Sequence, residues 1–137
     1  MNSLLLIASG MAGGLGASFV LRFVWASVAD RTQPGLWRTS NATNELLYVG
    51  SHALIGGGIG GLFWLSWGFS ALAGLSWWQQ GLGFGLANAV VFGVVPLVIV
   101  RSLMNCAVEI YWLLLSELLL TGAAAGLASS WSWQKAL

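Results

Sequence analysis

Two ionisable residues of this sequence, His52 and Glu117, stand inside long apolar stretches. An ionisable group in hydrocarbon costs about 2.5–3.5 kcal/mol, so each of the two needs a partner or a function. Thr121 follows Glu117 by one helical turn and would place a second polar group on the same helix face. These residue types fit three roles: a polar clamp between helices, a step in a proton or ion path, or, for His52, ligation of a pigment or haem.

Catalytic and metal chemistry has little support elsewhere in the chain. With one histidine and one cysteine, Cys106, the sequence cannot form a multi-histidine metal site or a thiolate cage. It contains neither a phosphate-binding loop nor a nucleophile elbow. The formal net charge is +1, and five scattered basic residues cannot form the basic surface that binds nucleic acid. We therefore expect no enzymatic activity, no bound metal and no nucleic-acid partner.

The composition places these residues in a membrane. Of 137 residues, 58% are hydrophobic and 7% are charged, with a mean hydropathy of +0.83, whereas soluble domains carry about 25% charged residues. A helix needs roughly 20 apolar residues to cross a bilayer, and four such stretches lie at about 4–28, 46–69, 81–100 and 107–128. None of them alternates as the strands of a membrane barrel do. The sequence predicts an all-α polytopic membrane protein, a single domain of four transmembrane helices over residues 1–137.

One proline interrupts the third stretch. Pro96 lacks a backbone N–H, so we expect it to kink or end the third helix one turn before Arg101.

The second and fourth stretches resemble each other at an offset of about 65 residues. In this alignment Ser51-His52-Ala53-Leu54 matches Ser116-Glu117-Leu118-Leu119, and two glycines follow in each copy. Such a repeat is consistent with duplication of a two-helix unit, packed around a pseudo-twofold axis along the membrane normal. Because His52 and Glu117 occupy equivalent positions in this alignment, we predict that they meet and form a charge-assisted hydrogen bond inside the membrane.

Glycines spaced four residues apart form stripes on which another helix backbone can approach closely. We expect these stripes to pack the four-helix bundle, and the second stripe of the second helix offers a contact to another subunit as an alternative. The stripes comprise Gly10 and Gly14, Gly56 and Gly60, Gly57 and Gly61, Gly81 and Gly85, and Gly122 and Gly126.

Basic residues indicate the orientation in the membrane. Arg22, Arg31 and Arg38 lie between the first and second stretches and Arg101 between the third and fourth, which places these connections in the cytoplasm and both termini outside. We expect the four arginines to be interfacial anchors on lipid phosphate. The opposite ends carry indoles that would form a tryptophan belt at the periplasmic surface, namely Trp64, Trp67, Trp77, Trp78, Trp131 and Trp133.

Two further carboxylates, Glu45 and Glu109, stand at the starts of the second and fourth helices. A negative charge there is stabilised by the helix dipole, so we interpret both as anchors of the helix start. Arg22 is expected at the same end of the spans and could reach either carboxylate.

The third stretch resembles that of the YagU-like bacterial inner-membrane proteins, in Trp78-Gln79-Gln80-Gly81-Leu82-Gly83-Phe84-Gly85-Leu86 followed by Phe92 and Pro96. Arg22-Phe23-Val24-Trp25, Ser51-His52, Glu109 and Ser116-Glu117 add to the resemblance. The chain departs from the family at Leu120, where a second histidine is expected after the glutamate. The resemblance implies a four-span protein of the bacterial inner membrane with no assigned molecular activity.

Three functions follow from these patterns, in decreasing order of support. The first is an accessory or structural subunit of a larger membrane complex, or a homo-oligomer, acting through contacts with other helices and lipids. The second is a small proton- or ion-conducting channel or transporter that uses Glu117 and His52. The third is an enzyme similar to membrane glutathione transferases, whose Arg-Asn-Glu signature is approached by Arg101, Asn105 and Glu109, although the spacing is one residue too long.

Overall fold

The computed structural model describes the backbone of residues 3–32, 41–66, 72, 74–103 and 107–136, with the side chains of 25–32, 100 and 136 left out. Within these ranges the protein is all-α, as predicted, with helices α1 (Ser3–Thr32), α2 (Ala42–Ser66), α3 (Trp77–Ala89), α4 (Val95–Leu103) and α5 (Val108–Ala136). A π-helical turn, Val90–Val94, joins α3 to α4. Four segments are long and apolar enough to cross a membrane: Ser3–Val24, Ala42–Ser66, Trp77–Leu103 and Val108–Lys135.

Side-chain caps explain why α2 and α3 each begin about four residues earlier than predicted. Asn41 caps α2, since its Oδ1 accepts the backbone N–H of Asn44 at 2.8 Å. At the start of α3, Oε1 of Gln79 accepts both the backbone N–H and the hydroxyl of Ser76, at 3.1 and 2.7 Å. Both caps use polar residues that a search for apolar stretches leaves outside the helices.

The last helix continues eight residues beyond the predicted end near 128, through a serine-rich segment. These serines are buried, and their hydroxyls are bonded within the protein. Ser129 donates to the carbonyl of Ala125 at 2.8 Å, Ser130 donates to the carbonyl of Trp77 at 2.7 Å, and Ser132 shares a hydrogen bond of 2.6 Å with Ser9. The segment therefore joins α5 to α1 and α3 instead of leaving the bundle.

Pro96 does not end the third span, which runs on to Leu103. Proline cannot donate to the carbonyl four residues before it, which here belongs to Phe92. The π-helical turn immediately precedes this position, and within it the N–H of Val95 bonds to the carbonyl of Val90, five residues back. The wider turn accommodates the missing donor while the helix continues.

Glycines bring α1 and α2 into direct backbone contact. A Cβ atom added at Gly10 would collide with the carbonyl oxygen of Gly56, one added at Gly14 with that of His52, and one added at Gly60 with that of Leu6. The first stripe of α2 therefore packs on α1.

The second stripe of α2 also faces α1. A Cβ atom at Gly57 would lie 2.8 Å from Cγ of Met11, and one at Gly61 would lie 3.8 Å from Cγ1 of Ile7. Side chains of α1 thus lie over this stripe, which leaves less of it open for the alternative of a contact to another subunit.

The contacts between α3 and α5 repeat those between α1 and α2. A Cβ atom added at Gly81 would lie against the carbonyl of Gly126, and one added at Gly85 would lie against the carbonyl of Gly122. The Ser130 hydroxyl donates to the carbonyl of Trp77, where in the first helix pair Gly60 lies against the carbonyl of Leu6. These matches pair Gly10 with Gly81 and Gly56 with Gly126, an offset of about 70 residues. In this register His52 corresponds to Gly122, so the two helix pairs are alike but the offset of about 65 is wrong.

The likeness of the two halves stops at one position. Gly13 lets α1 lie against the backbone of α5 at Ala124, whereas its counterpart in α3 is Phe84. The Phe84 ring is buried and packs edge-on against Phe63 with 5.0 Å between ring centroids. Because this ring stands between α2 and α3, the two helices do not close, and a groove remains between them.

Candidate functional site in the membrane interior

The structure brings His52 on α2 and Glu117 on α5 into contact. Nε2 of His52 lies 3.0 Å from Oε1 of Glu117, and the two residues are only 4% and 9% exposed. The two helices run in the same direction, and His52 lies about 10 Å along the helix from Glu45 at 1.5 Å per residue. The contact is therefore inside the span and off its centre, towards the end that carries Arg22.

One hydrogen bond fixes the protonation of the imidazole. Nδ1 of His52 lies 2.8 Å from the backbone carbonyl of Tyr48, and since a carbonyl can only accept, Nδ1 carries a proton. A neutral ring then has a lone pair on Nε2, facing the carboxyl group of Glu117. Two lone pairs repel at 3.0 Å, so one proton must lie on Nε2 or on Glu117. Either way the pair is neutral overall, which lowers the cost of burying it in the membrane.

Two buried hydroxyls beside this pair, those of Tyr48 and Thr121, have no aligned hydrogen-bond partner among the described residues, whereas Oε1 of Glu117 has Nε2 of His52 at 3.0 Å. The Tyr48 hydroxyl lies close enough to Glu117 to interact with its carboxyl group. Tyr48 and His52 are one turn apart on α2, as are Glu117 and Thr121 on α5. We call these four residues the polar cluster.

An ion pair lies at the membrane end nearest the polar cluster. Arg22 on α1 contacts Glu45 on α2 at 2.8 Å, with side chains 55% and 33% exposed. Arg101 stacks over the ring of Tyr111 at 5.5 Å, and Glu109 is exposed in the first turn of α5. The side chain of Arg31 and the whole of Arg38 lie outside the described residues. The arrangement fits the predicted anchoring of helix starts, with Arg22 on a carboxylate.

The other half of the bundle is apolar at its centre. Leu6, Ile59, Phe63, Phe84 and Ala125 form a buried cluster against which the Trp133 ring packs. On the same side, Gly10, Gly13 and Gly56 hold helix backbones in contact. The buried serines of this half bond to backbone carbonyls or to each other, and no described ionisable side chain lies between the polar cluster and Lys135, which gives little support to conduction through one bundle.

Ligation of a haem or pigment by His52 would require a free ring nitrogen. Nδ1 is bonded to a backbone carbonyl and Nε2 lies against Glu117. A metal could bind Nε2 only by displacing Glu117, so the geometry does not favour this hypothesis. Among the described residues, no three His, Cys, Asp or Glu side chains come close enough to hold a metal ion.

The groove between α2 and α3 is the second feature of interest. It contains two adjoining open depressions with about 220 and 310 Å³ of space, which share Leu62, Asn88 and Phe92 in their walls. Gly58 lines its α2 side, and Ala89 and Gly93 line its α3 side. We call it the α2–α3 groove.

Asn88 is the residue of the α2–α3 groove that the sequence reasoning missed. It is buried, its Nδ2 donates to the carbonyl of Phe84 at 2.8 Å, and no described residue donates to its side-chain oxygen. It is also the single strongly polar residue in the apolar stretch 81–100, a signal that could have revealed it. Tyr48 was missed as well, because a tyrosine near the start of a span suggests only an interfacial anchor.

Comparison with models of protein families, with curated proteins and with solved structures gave no match. The resemblance to the YagU-like proteins therefore stays a prediction. The same holds for the resemblance to membrane glutathione transferases, since Asn105 lies outside the described residues.

Proposed function

We propose that this protein is an accessory subunit of a larger membrane complex, and that it binds a transmembrane helix of its partner in the α2–α3 groove. The observation that carries the proposal is an open groove with a polar side chain, Asn88, in its wall. Buried amides in hydrocarbon need hydrogen-bond partners, and an acyl chain offers none. A neighbouring helix with a polar side chain offers such a partner.

The shape of the α2–α3 groove supports a helix as its occupant. Gly58 on one side and Ala89 and Gly93, four residues apart, on the other provide the small residues on which helix backbones approach closely in membranes. Apolar side chains at the rim, such as Phe92 at 67% exposure, add contact area. A second copy of the chain and a lipid are the other occupants that the experiment below distinguishes.

We place the protein in the bacterial inner membrane with both termini in the periplasm. Arg22 and Arg101 lie at one end of the bundle, which is the cytoplasmic end by the positive-inside rule. Trp64, Trp78 and Trp131 are exposed at the opposite end, where indoles would form an interfacial belt. Membrane lipids are the remaining partner.

A matched pair of substitutions tests the proposal. Neither Gly58 nor Gly16 has an atom within 4 Å of an added Cβ, so a side chain can start from both positions without a clash, but Gly58 lies in the groove and Gly16 does not. In mild detergent, native mass measurement of tagged protein from its own membrane should show a complex that Gly58→Leu loses and Gly16→Leu keeps. Equal complexes in both variants would contradict the groove as the binding site. A dimer of this chain, or bound lipid alone, would overturn the heteromeric partner.

A visible absorption spectrum of the same fraction tests for pigment. A colourless preparation would remove the hypothesis of a ligand at His52.

Conduction of protons or ions is the second candidate, and the contact between His52 and Glu117 favours it. In liposomes, a transporter should show pH-dependent flux that Glu117→Gln abolishes. Flux equal to that of empty vesicles at every pH would exclude this candidate. We do not propose an enzymatic activity.

A further inference from the structure

The polar cluster leaves more oxygen atoms unsatisfied than a closed structural clamp would. A buried hydroxyl without a hydrogen-bond partner is destabilising, and two such hydroxyls, those of Tyr48 and Thr121, lie beside the carboxyl group of Glu117. Thr121 is only 1% exposed, so its hydroxyl is held well away from the surface of the bundle. A buried water makes about three hydrogen bonds and would satisfy both hydroxyls at once.

The pair also holds a proton that can move. The hydrogen bond from Nδ1 to the carbonyl of Tyr48 leaves one proton for Nε2 of His52 and Oε1 of Glu117 together. Moving it between these two atoms converts a neutral pair into an ion pair without changing the total charge. A water beside Glu117 would connect this proton to others.

Polar groups lead away from the polar cluster in one direction. Towards the Arg22 end, Tyr48 interacts electrostatically with Arg22 and Glu45, which are partly exposed. The other charged side chains among the described residues are Glu109 and Lys135 on α5 and Arg101 on α4, while α3 has no titratable side chain. Towards the opposite end, the buried apolar cluster around Phe63 and Phe84 separates the polar cluster from the membrane surface.

We propose that Tyr48, His52, Glu117 and Thr121 form a hydrated site that binds one exchangeable proton within the membrane. Water reaches this site from the end of the bundle that carries Arg22. The site is independent of the α2–α3 groove, because its side chains point between α2 and α5.

The chain has one histidine, so ¹⁵N-histidine labelling reports on His52 alone. In lipid bilayers, solid-state NMR measures the transfer of magnetisation from mobile water to the ring nitrogens. We expect transfer in the native protein and at least about a twofold slower build-up in Tyr48→Phe and in Thr121→Val, because each loses an oxygen that would hold the water. No transfer in the native protein would show a dry clamp and overturn the proposal.

Two further variants keep this test specific. Thr121→Ser retains the hydroxyl and should restore the native build-up. Ser129→Ala removes a buried hydroxyl of α5 that is bonded to Ala125 at 2.8 Å, and should leave the build-up unchanged. If Ser129→Ala slows the transfer as much as Thr121→Val does, the water is not at the polar cluster.

Counting the proton completes the experiment. The ¹⁵N spectrum shows whether Nε2 is protonated, and the infrared band of a protonated carboxyl group, assigned by its loss in Glu117→Gln, shows whether Glu117 is. We expect one proton in total at neutral pH. Finding both sites protonated, or neither, would refute the shared proton.

Discussion

Two alanine substitutions on neighbouring helices should change the stability of the protein in opposite directions. A Cβ atom at Gly56 would collide with the carbonyl oxygen of Gly10, whereas a Cβ atom at Gly16 has no atom within 4 Å. Carbon contacts are favourable at about 3.5–4.0 Å, so Gly56→Ala must move α1 and α2 apart by about 1 Å or more. Both sites are helical, so intrinsic helix propensity favours the two alanines equally.

The size of the effect follows from the packing of the two helices. Overpacking a tight contact costs about 1–3 kcal/mol, and separation of α1 from α2 also loosens the contacts of Gly14 with the His52 backbone. Gly16→Ala should gain between zero and about 1 kcal/mol, the helix propensity difference between glycine and alanine. Because the propensity gain is the same at both sites, the two variants should differ in free energy of unfolding by the overpacking cost, about 1–3 kcal/mol.

Reversible unfolding in mixed micelles, with SDS as the denaturant, measures this difference, and the fluorescence of the nine tryptophans supplies the signal. Gly126→Ala is a second test, since its Cβ would collide with the carbonyl of Gly81 in the other helix pair. If Gly56→Ala proves as stable as Gly16→Ala, the backbone contact between α1 and α2 is not as described and the reasoning fails.

The same unfolding assay tests three other contacts. A double-mutant cycle with His52→Leu and Glu117→Leu should give a coupling energy of about 0.6–1.7 kcal/mol, the range that such cycles give for polar contacts between membrane helices. Additive effects would mean that the side chains do not interact. Phe84→Ala should lower the free energy of unfolding by about 3–5 kcal/mol, because this ring is only 1% exposed. Phe92→Ala should cost far less, because that side chain is 67% exposed. Similar losses in the two variants would place Phe84 outside the core. Glu45→Gln should cost less than about 1 kcal/mol, because its ion pair with the arginine of α1 is partly exposed, and a larger loss would indicate that this pair is shielded from water.

The four spans could be predicted from the sequence because lipid imposes a simple rule on length and polarity. The rule failed at the helix ends. Ser129 and Ser130 read as polar and suggested the end of a span, yet each bonds to a backbone carbonyl inside the bundle. Asn41 and Ser76 start helices through local hydrogen bonds that a hydropathy pattern does not reveal.

The contact between His52 and Glu117 could be anticipated because isolated polar groups in a membrane find each other. The reason given for it, equivalent positions in a repeat, was wrong, since the glycine contacts set a different register. Gly, Leu and Ala recur so often in these spans that an alignment alone cannot fix which turn matches which. The α2–α3 groove could not be predicted, because it depends on one side chain, Phe84, standing where the other half has Gly13.

The positions of the polar cluster and the α2–α3 groove on the helices make their roles separable. On α2, His52 contacts α5, whereas Gly58 lines the groove. On α5, Glu117 contacts His52, whereas the next residue, Leu118, lines the groove. Substitution of Gly58 therefore leaves His52 and Glu117 in place. If Gly58→Leu loses the complex while the NMR signals of His52 stay unchanged, assembly depends on the groove alone. A change at His52 on assembly would instead mean that α5 transmits the occupancy of the groove to the proton site, since α5 contributes residues to both.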